Sequence, residues 1–200
     1  ISQCDSNLKQ KLNIKYICNC GDKITPAIVQ KVIETLPNIT LYNQYGFSES
    51  SQVSLQHMIN SNTVLDSFVP IGKVAQNKKI YILDEYKHPV PIGVTGDLFV
   101  AGAGLAVKYV NNEELTNEKF ILNPFATPSD ILNGYTKMYK TGDLVQWLSD
   151  GNVKYIGRSD AQVKIRGFRI ELCEVESKLL QISEIKEACV TAKVSQNNNQ

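Results

Sequence analysis

Three stretches of this 200-residue sequence carry side chains that could hold a phosphorylated ligand. Asn43–Glu49 (NQYGFSE) places an aromatic ring, a hydroxyl and a carboxylate on one segment after an extended run. Tyr45 could stack on a base, Ser48 could meet a phosphate oxygen, and Glu49 could bind a divalent cation. Tyr139–Leu144 (YKTGDL) sets Asp143 behind Gly142, and a carboxylate on a tight glycine turn can accept two hydrogen bonds from a ribose diol. Gly157–Leu172 (GRSDAQVKIRGFRIEL) is dense in charge and contains all three arginines, Arg158, Arg166 and Arg169, in a chain that otherwise uses lysine. A planar guanidinium fork offers bidentate recognition that lysine does not. Each stretch taken alone is equally the pattern of an ordinary solvated turn or hairpin.

The remaining composition excludes several classes. Lys and Arg number 21 against 20 Asp and Glu, a net charge of +1, which does not suit a surface built for nucleic acid or anionic lipid. No apolar run approaches the roughly 18–20 residues of a membrane span, and no basic-then-apolar opening marks a signal peptide. The five cysteines (4, 18, 20, 173 and 189) form no C-x-x-C pair, and the two histidines lie at 57 and 88. Neither a zinc site nor a disulfide framework is expected. The cysteines are expected to be small buried residues in a reduced, cytoplasmic setting. Ala101–Ala106 (AGAGLA) lacks the third glycine of a dinucleotide turn, and there is neither a G-x-x-x-x-G-K-[ST] nor a G-x-S-x-G sequence. The chain opens on Ile1 and closes on the polar run 195–200, so a piece of a longer protein is expected.

The elements that must position these stretches follow from pattern. Ile14–Cys18 reads as a strand, Thr25-Pro26 as a helix start with Thr as N-cap, and Ile28, Val29, Val32, Ile33 and Leu36 as one apolar stripe. Ile39–Tyr42 is again extended, so a βαβ unit of a parallel sheet is predicted, with ligands beyond its strand ends at 19–23 and 43–51. From about 65 short strands recur at Lys79–Leu83, Asp97–Ala101, Val145–Leu148 and Val153–Ile156, with a hairpin turn at 149–152 and a short helix near 112–120. After Gly157 a strand at Gln162–Ile165, a helix at Glu174–Leu180 and a strand at Ile185–Val194 open an α+β lobe.

Taken in order, these segments resemble the adenylate-forming superfamily, specifically the adenylation domains of nonribosomal peptide synthetases. Asn43–Glu49 is similar to N-x-Y-G-P-T-E, with Phe47 in place of Pro and Ser48 in place of Thr. Gly96–Tyr109 (GDLFVAGAGLAVKY) resembles G-E-L-x-I-x-G-x-G-L-A-R-G-Y, with Val107-Lys108 in place of Arg-Gly, and Tyr139–Leu144 matches Y-[RK]-T-G-D-L. Gly157–Glu176 resembles the long G-R-x-D-x-Q-V-K-I-R-G-x-R-I-E-L-x-E-I-E text. The resemblance implies an α/β + β fold: the C-terminal half of a large lobe, with residues 1–64 ending its α/β part and 65–157 forming a small distorted β-barrel. Residues 158–200 would be the hinge and the start of a small α+β lobe.

It also implies an ATP- and Mg²⁺-dependent ligase. Such an enzyme activates an amino acid as its adenylate and loads it on the phosphopantetheine arm of a peptidyl carrier protein domain, with no role for nucleic acid or membrane. Carried over by position, Tyr45 would stack on adenine, Ser48 would contact phosphate, Glu49 would bind Mg²⁺, and Asp143 with Arg158 would hold the ribose. Gly21, Asp22 and Gly46 would border the nucleotide. Cys18, Cys20, Gln44, Gln52 and Val53 would line the amino-acid pocket. Asp160 would be the hinge, and Lys164 and Gly167 would face the site for acyl transfer. The family's phosphate loop and distal catalytic lysine have no counterpart in these 200 residues, so no complete catalytic set is expected here. An acyl- or aryl-CoA ligase, or a noncatalytic remnant of the fold, stands as the alternative.

Overall fold

The computed structural model of the chain describes residues 14–51, 53–64, 66–160, 162–165 and 168–193. Strand β1 (Tyr16–Cys20) leads into helix α1 (Pro26–Thr35), where the Thr25 hydroxyl accepts from the Ile28 amide at 3.3 Å and Pro26 takes the first helical position. Strand β2 (Thr40–Tyr45) then runs parallel to β1, with Cys18 opposite Tyr42 and Cys20 opposite Gln44. The predicted βαβ unit is present, and α1 buries Val29 against Leu41 and Ile59. Strands β3 (Leu55–Ile59) and β4 (Lys73–Val74) continue this sheet antiparallel, in the order β1-β2-β3-β4.

The second sheet is antiparallel. It comprises β5 (Lys78–Leu83), β6 (Thr95–Gly102), β7 (Phe120–Leu122), β8 (Lys137–Trp147) and β9 (Val153–Arg158). The unbroken apolar run Leu98–Ala101 in β6 is buried on both faces. Leu98 and Val100 join Tyr45, Leu55, Ile71, Val145 and Val153 between the two sheets, while Phe99 and Ala101 pack on Leu83 and Met138. Helices α2 (Glu113–Lys119) and α3 (Pro128–Leu132) lie in the connections around β7. A hairpin of β10 (Gln162–Ile165) and β11 (Phe168–Glu171) precedes α4 (Leu172–Leu179). This mixed α/β sheet followed by an antiparallel β sheet is the expected fold class.

Four expectations need correction. The described cysteines, Cys18, Cys20, Cys173 and Cys189, are exposed, not buried. On β1 the side chains alternate, Ile17 packs toward α1, and Cys18 and Cys20 share the opposite face with Tyr16; Cys4 lies outside the described residues. No strand forms over 185–193. The Val190 amide is taken by the Glu176 carboxylate of α4 at 2.9 Å, where a strand would need a backbone partner. The strand expected at Val145–Leu148 is far longer and begins at Lys137. Thr141-Gly142-Asp143 therefore sits inside a strand and not on a tight turn.

Candidate nucleotide-binding cleft

The long strand β8 organises the site. Its outer edge pairs with β7 over 137–139 and with β9 from 143 onward, leaving 140–142 without a strand on that side. On its other edge the register with β6 shifts between Asp97 and Phe99, so that Thr141-Gly142-Asp143 bulges opposite Leu98. Gly142 supplies the positive φ of +76° that the bulge requires. Thr141 mends the ladder: its hydroxyl donates to the Leu98 carbonyl at 2.8 Å and accepts from the Asp143 amide at 3.0 Å. The result aims the Asp143 carboxylate between the sheets, where the residue is only 5% exposed.

Among the partners of Asp143 there are Tyr45 and Arg158. The Tyr45 hydroxyl, at the end of β2, donates to its Oδ2, and Arg158 Nη1, at the end of β9, donates to its Oδ1 at 3.0 Å. Arg158 also fills the gap in the β8 edge by donating from Nη2 to the Thr141 carbonyl at 3.1 Å. Its Nε and Nη2 then fork onto Asp160, each at 2.6 Å. Burial, with the Asp143 charge adding to it, drives the Tyr45 phenol well above its ordinary range, so it remains a donor. Burial alone would raise Asp160, but the Arg158 hydrogen bonds and charge outweigh it and hold that carboxyl below its ordinary range.

A second acidic group lies nearby. After Tyr45 the chain passes Gly46 and Phe47 into a 3₁₀ turn, Ser48–Ser50, that exposes Ser48 and buries Glu49 at 8% exposure. The Glu49 Oε1 accepts from the hydroxyls of Tyr109 at 2.6 Å and Tyr139 at 3.0 Å.

The strand ends of β1 and β2 complete the rim. Gly21, at φ +93°, turns the chain so that the Asn19 amide reaches the Asp22 carbonyl at 3.2 Å and Asn43 at 3.0 Å. Asn43 in turn donates to the Pro70 carbonyl at 2.8 Å. A cleft of about 800 Å³ opens here, lined among others by Asp22, Gln44, Tyr155, Gln162 and Lys193. It adjoins a recess of about 150 Å³ reached by Ser48, Tyr139 and Asp143. Gly21, Tyr45, Gly46 and Arg158 face both.

Most of the sequence-selected residues thus converge. Cys18, Cys20, Glu49, Val53 and Asp160 line neither space. Cys18 and Cys20 lie on the same sheet face as Gln44, whose amide donates to Gln56 at 3.3 Å. Gln52 and Gly167 lie outside the described residues, as does the side chain of Lys164. Sequence reasoning gave no role to Thr141, Tyr155, Gln162, Tyr109 or Tyr139. The two tyrosines at 109 and 139 stand in the quoted motifs, which was a usable signal; Tyr155 and Gln162 carried none.

The signature of the family described as AMP-binding enzyme matches residues 3–110. The chain belongs to that family. Among curated relatives of this AMP-binding chain, bacitracin synthase 1 of Bacillus licheniformis is 43% identical over 192 residues, 94% of this chain and 4% of the relative. Gramicidin S synthase 2 of Brevibacillus brevis is 42% identical over 180 residues, 90% of this chain and again 4% of the relative. A solved nonribosomal peptide synthetase protein containing adenylation and PCP domains, bound to a vinylsulfonamide inhibitor, matches with a TM-score of 0.75 at 26% identity. That match covers 84% of this chain and 28% of the solved one. An artificially fused adenylation–PCP di-domain from Klebsiella oxytoca matches at 0.74 and 27%, covering 90% and 32%. The chain therefore spans about a third of these solved chains and a few per cent of the synthases.

The donor set fits Mg²⁺. Among the described residues no group of three or more His, Cys, Asp or Glu could cage a metal, but Mg²⁺ is commonly held by one or two carboxylates together with substrate phosphates. Glu49, the residue after the recess-lining Ser48, is the carboxylate that would serve in this way. Among the described residues no helix is long and apolar enough to cross a membrane.

Proposed function

We propose that this chain is part of an amino-acid-activating, adenylate-forming ligase of nonribosomal peptide synthesis, binding ATP in the cleft between its two sheets. The observation that carries the reading is the meeting of Tyr45, Asp143 and Arg158 from three strands of two sheets at one recess. In the reaction the amino-acid carboxylate attacks the α-phosphorus of ATP and pyrophosphate leaves. The thiolate of a phosphopantetheine arm then attacks the acyl carbon and AMP leaves. Mg²⁺ neutralises phosphate charge when bound.

The chain's own work is positioning and charge complementarity. The Tyr45 ring stacks on the adenine, Asp143 accepts from the ribose hydroxyls, and Arg158 fixes Asp143. Gly21, Asp22 and Gly46 border the nucleotide, Ser48 meets phosphate, and Glu49 takes the cation. Gln44, which lines the larger cleft, faces the amino-acid side chain. Asp160 is the hinge at the boundary between residues 65–157 and the lobe that begins at 158, with Lys164 and Gly167 entering the site for transfer to a peptidyl carrier domain. A PCP domain accompanies the adenylation domain in both solved neighbours, which supports that choice of partner.

Residues 1–200 alone do not complete adenylation, because no phosphate loop or distal lysine of the family occurs among them. The test is amino-acid-dependent ATP–pyrophosphate exchange, run on the intact protein carrying this chain and on the 200 residues alone. Exchange is expected from the first and not the second. No exchange by the intact protein with any amino acid of a broad panel would overturn the assignment.

A further inference from the structure

Glu49 owes its orientation to two residues outside its own segment. Tyr109 follows β6, and Tyr139 lies in β8 beside the bulge that carries Asp143. Both hydroxyls converge on the same oxygen, Oε1, at 2.6 and 3.0 Å, and they lie 3.0 Å from each other. The rings are held as firmly as the hydroxyls. Phe120 packs edge-on against Tyr109 at 5.5 Å and tilted against Tyr139 at 5.0 Å, and Phe47 stacks on Tyr139 at 4.9 Å. Tyr139, Phe120 and Glu49 are each under a tenth exposed. A carboxylate so enclosed needs donors to offset its lost hydration, and two phenols in a fixed aromatic frame supply two of them to Oε1. Burial and the Glu49 hydrogen bond also raise the Tyr109 phenol, so it stays protonated as a donor.

We propose that Tyr109 and Tyr139 are positioning residues that set the Glu49 carboxylate for the divalent cation of the bound nucleotide. The inference rests on the nucleotide reading above and adds to it a division of labour along β8. Asp143, at one end of the bulge, serves the nucleoside. Tyr139, before the bulge, acts through Glu49 on the cation. The aromatic pair Tyr45–Phe47, 6.1 Å apart and edge-to-face, links the two.

The test uses the intact protein and α,β-methylene-ATP, a non-cleavable analogue, with affinity measured in saturating Mn²⁺ and in EDTA. In the wild type Mn²⁺ should tighten analogue binding. In Tyr109→Phe/Tyr139→Phe that metal-dependent gain should shrink by about tenfold or more, since two charge-assisted hydrogen bonds are lost, while affinity in EDTA stays within about twofold. A purely structural role would lower both affinities together, and an unchanged metal-dependent gain would equally overturn the proposal. Should the double variant not fold, Tyr109→Phe alone decides: about a threefold smaller gain supports the proposal, and no change refutes it. A wild type that binds no analogue at all would instead refute the nucleotide reading, and this inference with it.

Discussion

The Tyr45 hydroxyl and the Asp143 carboxylate, 98 positions apart in sequence, form a hydrogen bond that joins the mixed sheet to the antiparallel one. Tyr45 is thereby asked to do two things: to present a ring to the cleft and to tether β8. Tyr45→Phe separates them. Losing the hydroxyl should cost about 1 kcal/mol of stability, read as a lower denaturant midpoint, while ATP affinity changes less than about threefold because the ring remains. Tyr45→Ala should weaken ATP binding by tenfold or more, as about 1–3 kcal/mol of stacking is lost.

Gly142 is the point where the bulge, the ion pair and the expected hinge touch. A Cβ there would collide with the Asp160 carboxylate and come within 2.7 Å of Arg158 Nη2. The φ of +76° adds about 1–2 kcal/mol of backbone strain for any L side chain. Gly142→Ala should therefore lower thermal stability and, by displacing Arg158, weaken ATP binding about tenfold. Thermal melts and nucleotide titration of the same variant check both effects.

Asp160 accepts a two-pronged contact from Arg158 and also accepts from the Gln162 amide at 3.2 Å. If it is the hinge, Asp160→Pro fixes φ near −65° and holds one arrangement of the two lobes. In the intact protein one half-reaction should then survive and the other fail, measured as pyrophosphate exchange and as loading of a carrier-protein thiol. Equal losses in both assays would make Asp160 an ordinary structural residue.

Acid stability offers a check away from the cleft. Lys79, at 2.6 Å, and the Thr127 hydroxyl and amide hold the Asp130 carboxyl down at about 2. Because the folded-state value is depressed, the stabilisation is complete above the ordinary carboxylate value near 4 and is lost as pH falls toward 2. Asp130→Asn should melt below the wild type at pH 6, with the gap closing between about pH 4 and pH 2.

What the sequence disclosed follows from locality. The Thr25-Pro26 start and the apolar stripe of α1 are local signals, and the βαβ unit could be read from them together with the extended runs on either side. The side chains that line the cleft, Tyr45, Ser48, Asp143 and Arg158 among them, were recognisable because they stand in contiguous motifs. The bulge at Thr141-Gly142-Asp143 was not legible: Thr-Gly-Asp has the composition of a turn, and only pairing with β6 and β9 makes it an interruption within a strand. Strand β3 also escaped, since Leu55–Ile59 alternates weakly and is held by its partners β2 and β4. Ile185–Val194 failed in the opposite way, having strand-like composition while residues 185–193 pair with no strand among the described residues.

The ribose contact is tested most directly by comparing ATP with 2′,3′-dideoxy-ATP, by equilibrium binding, on the intact protein and its Asp143→Ala variant. If Asp143 holds the ribose diol, the wild type should prefer ATP by about tenfold or more, since hydrogen bonds to a charged carboxylate contribute about 1.5–3 kcal/mol each. The variant should bind the two nucleotides equally, because hydroxyl and carboxylate act as one interaction. A preference for ATP that persists undiminished in Asp143→Ala would contradict the assignment.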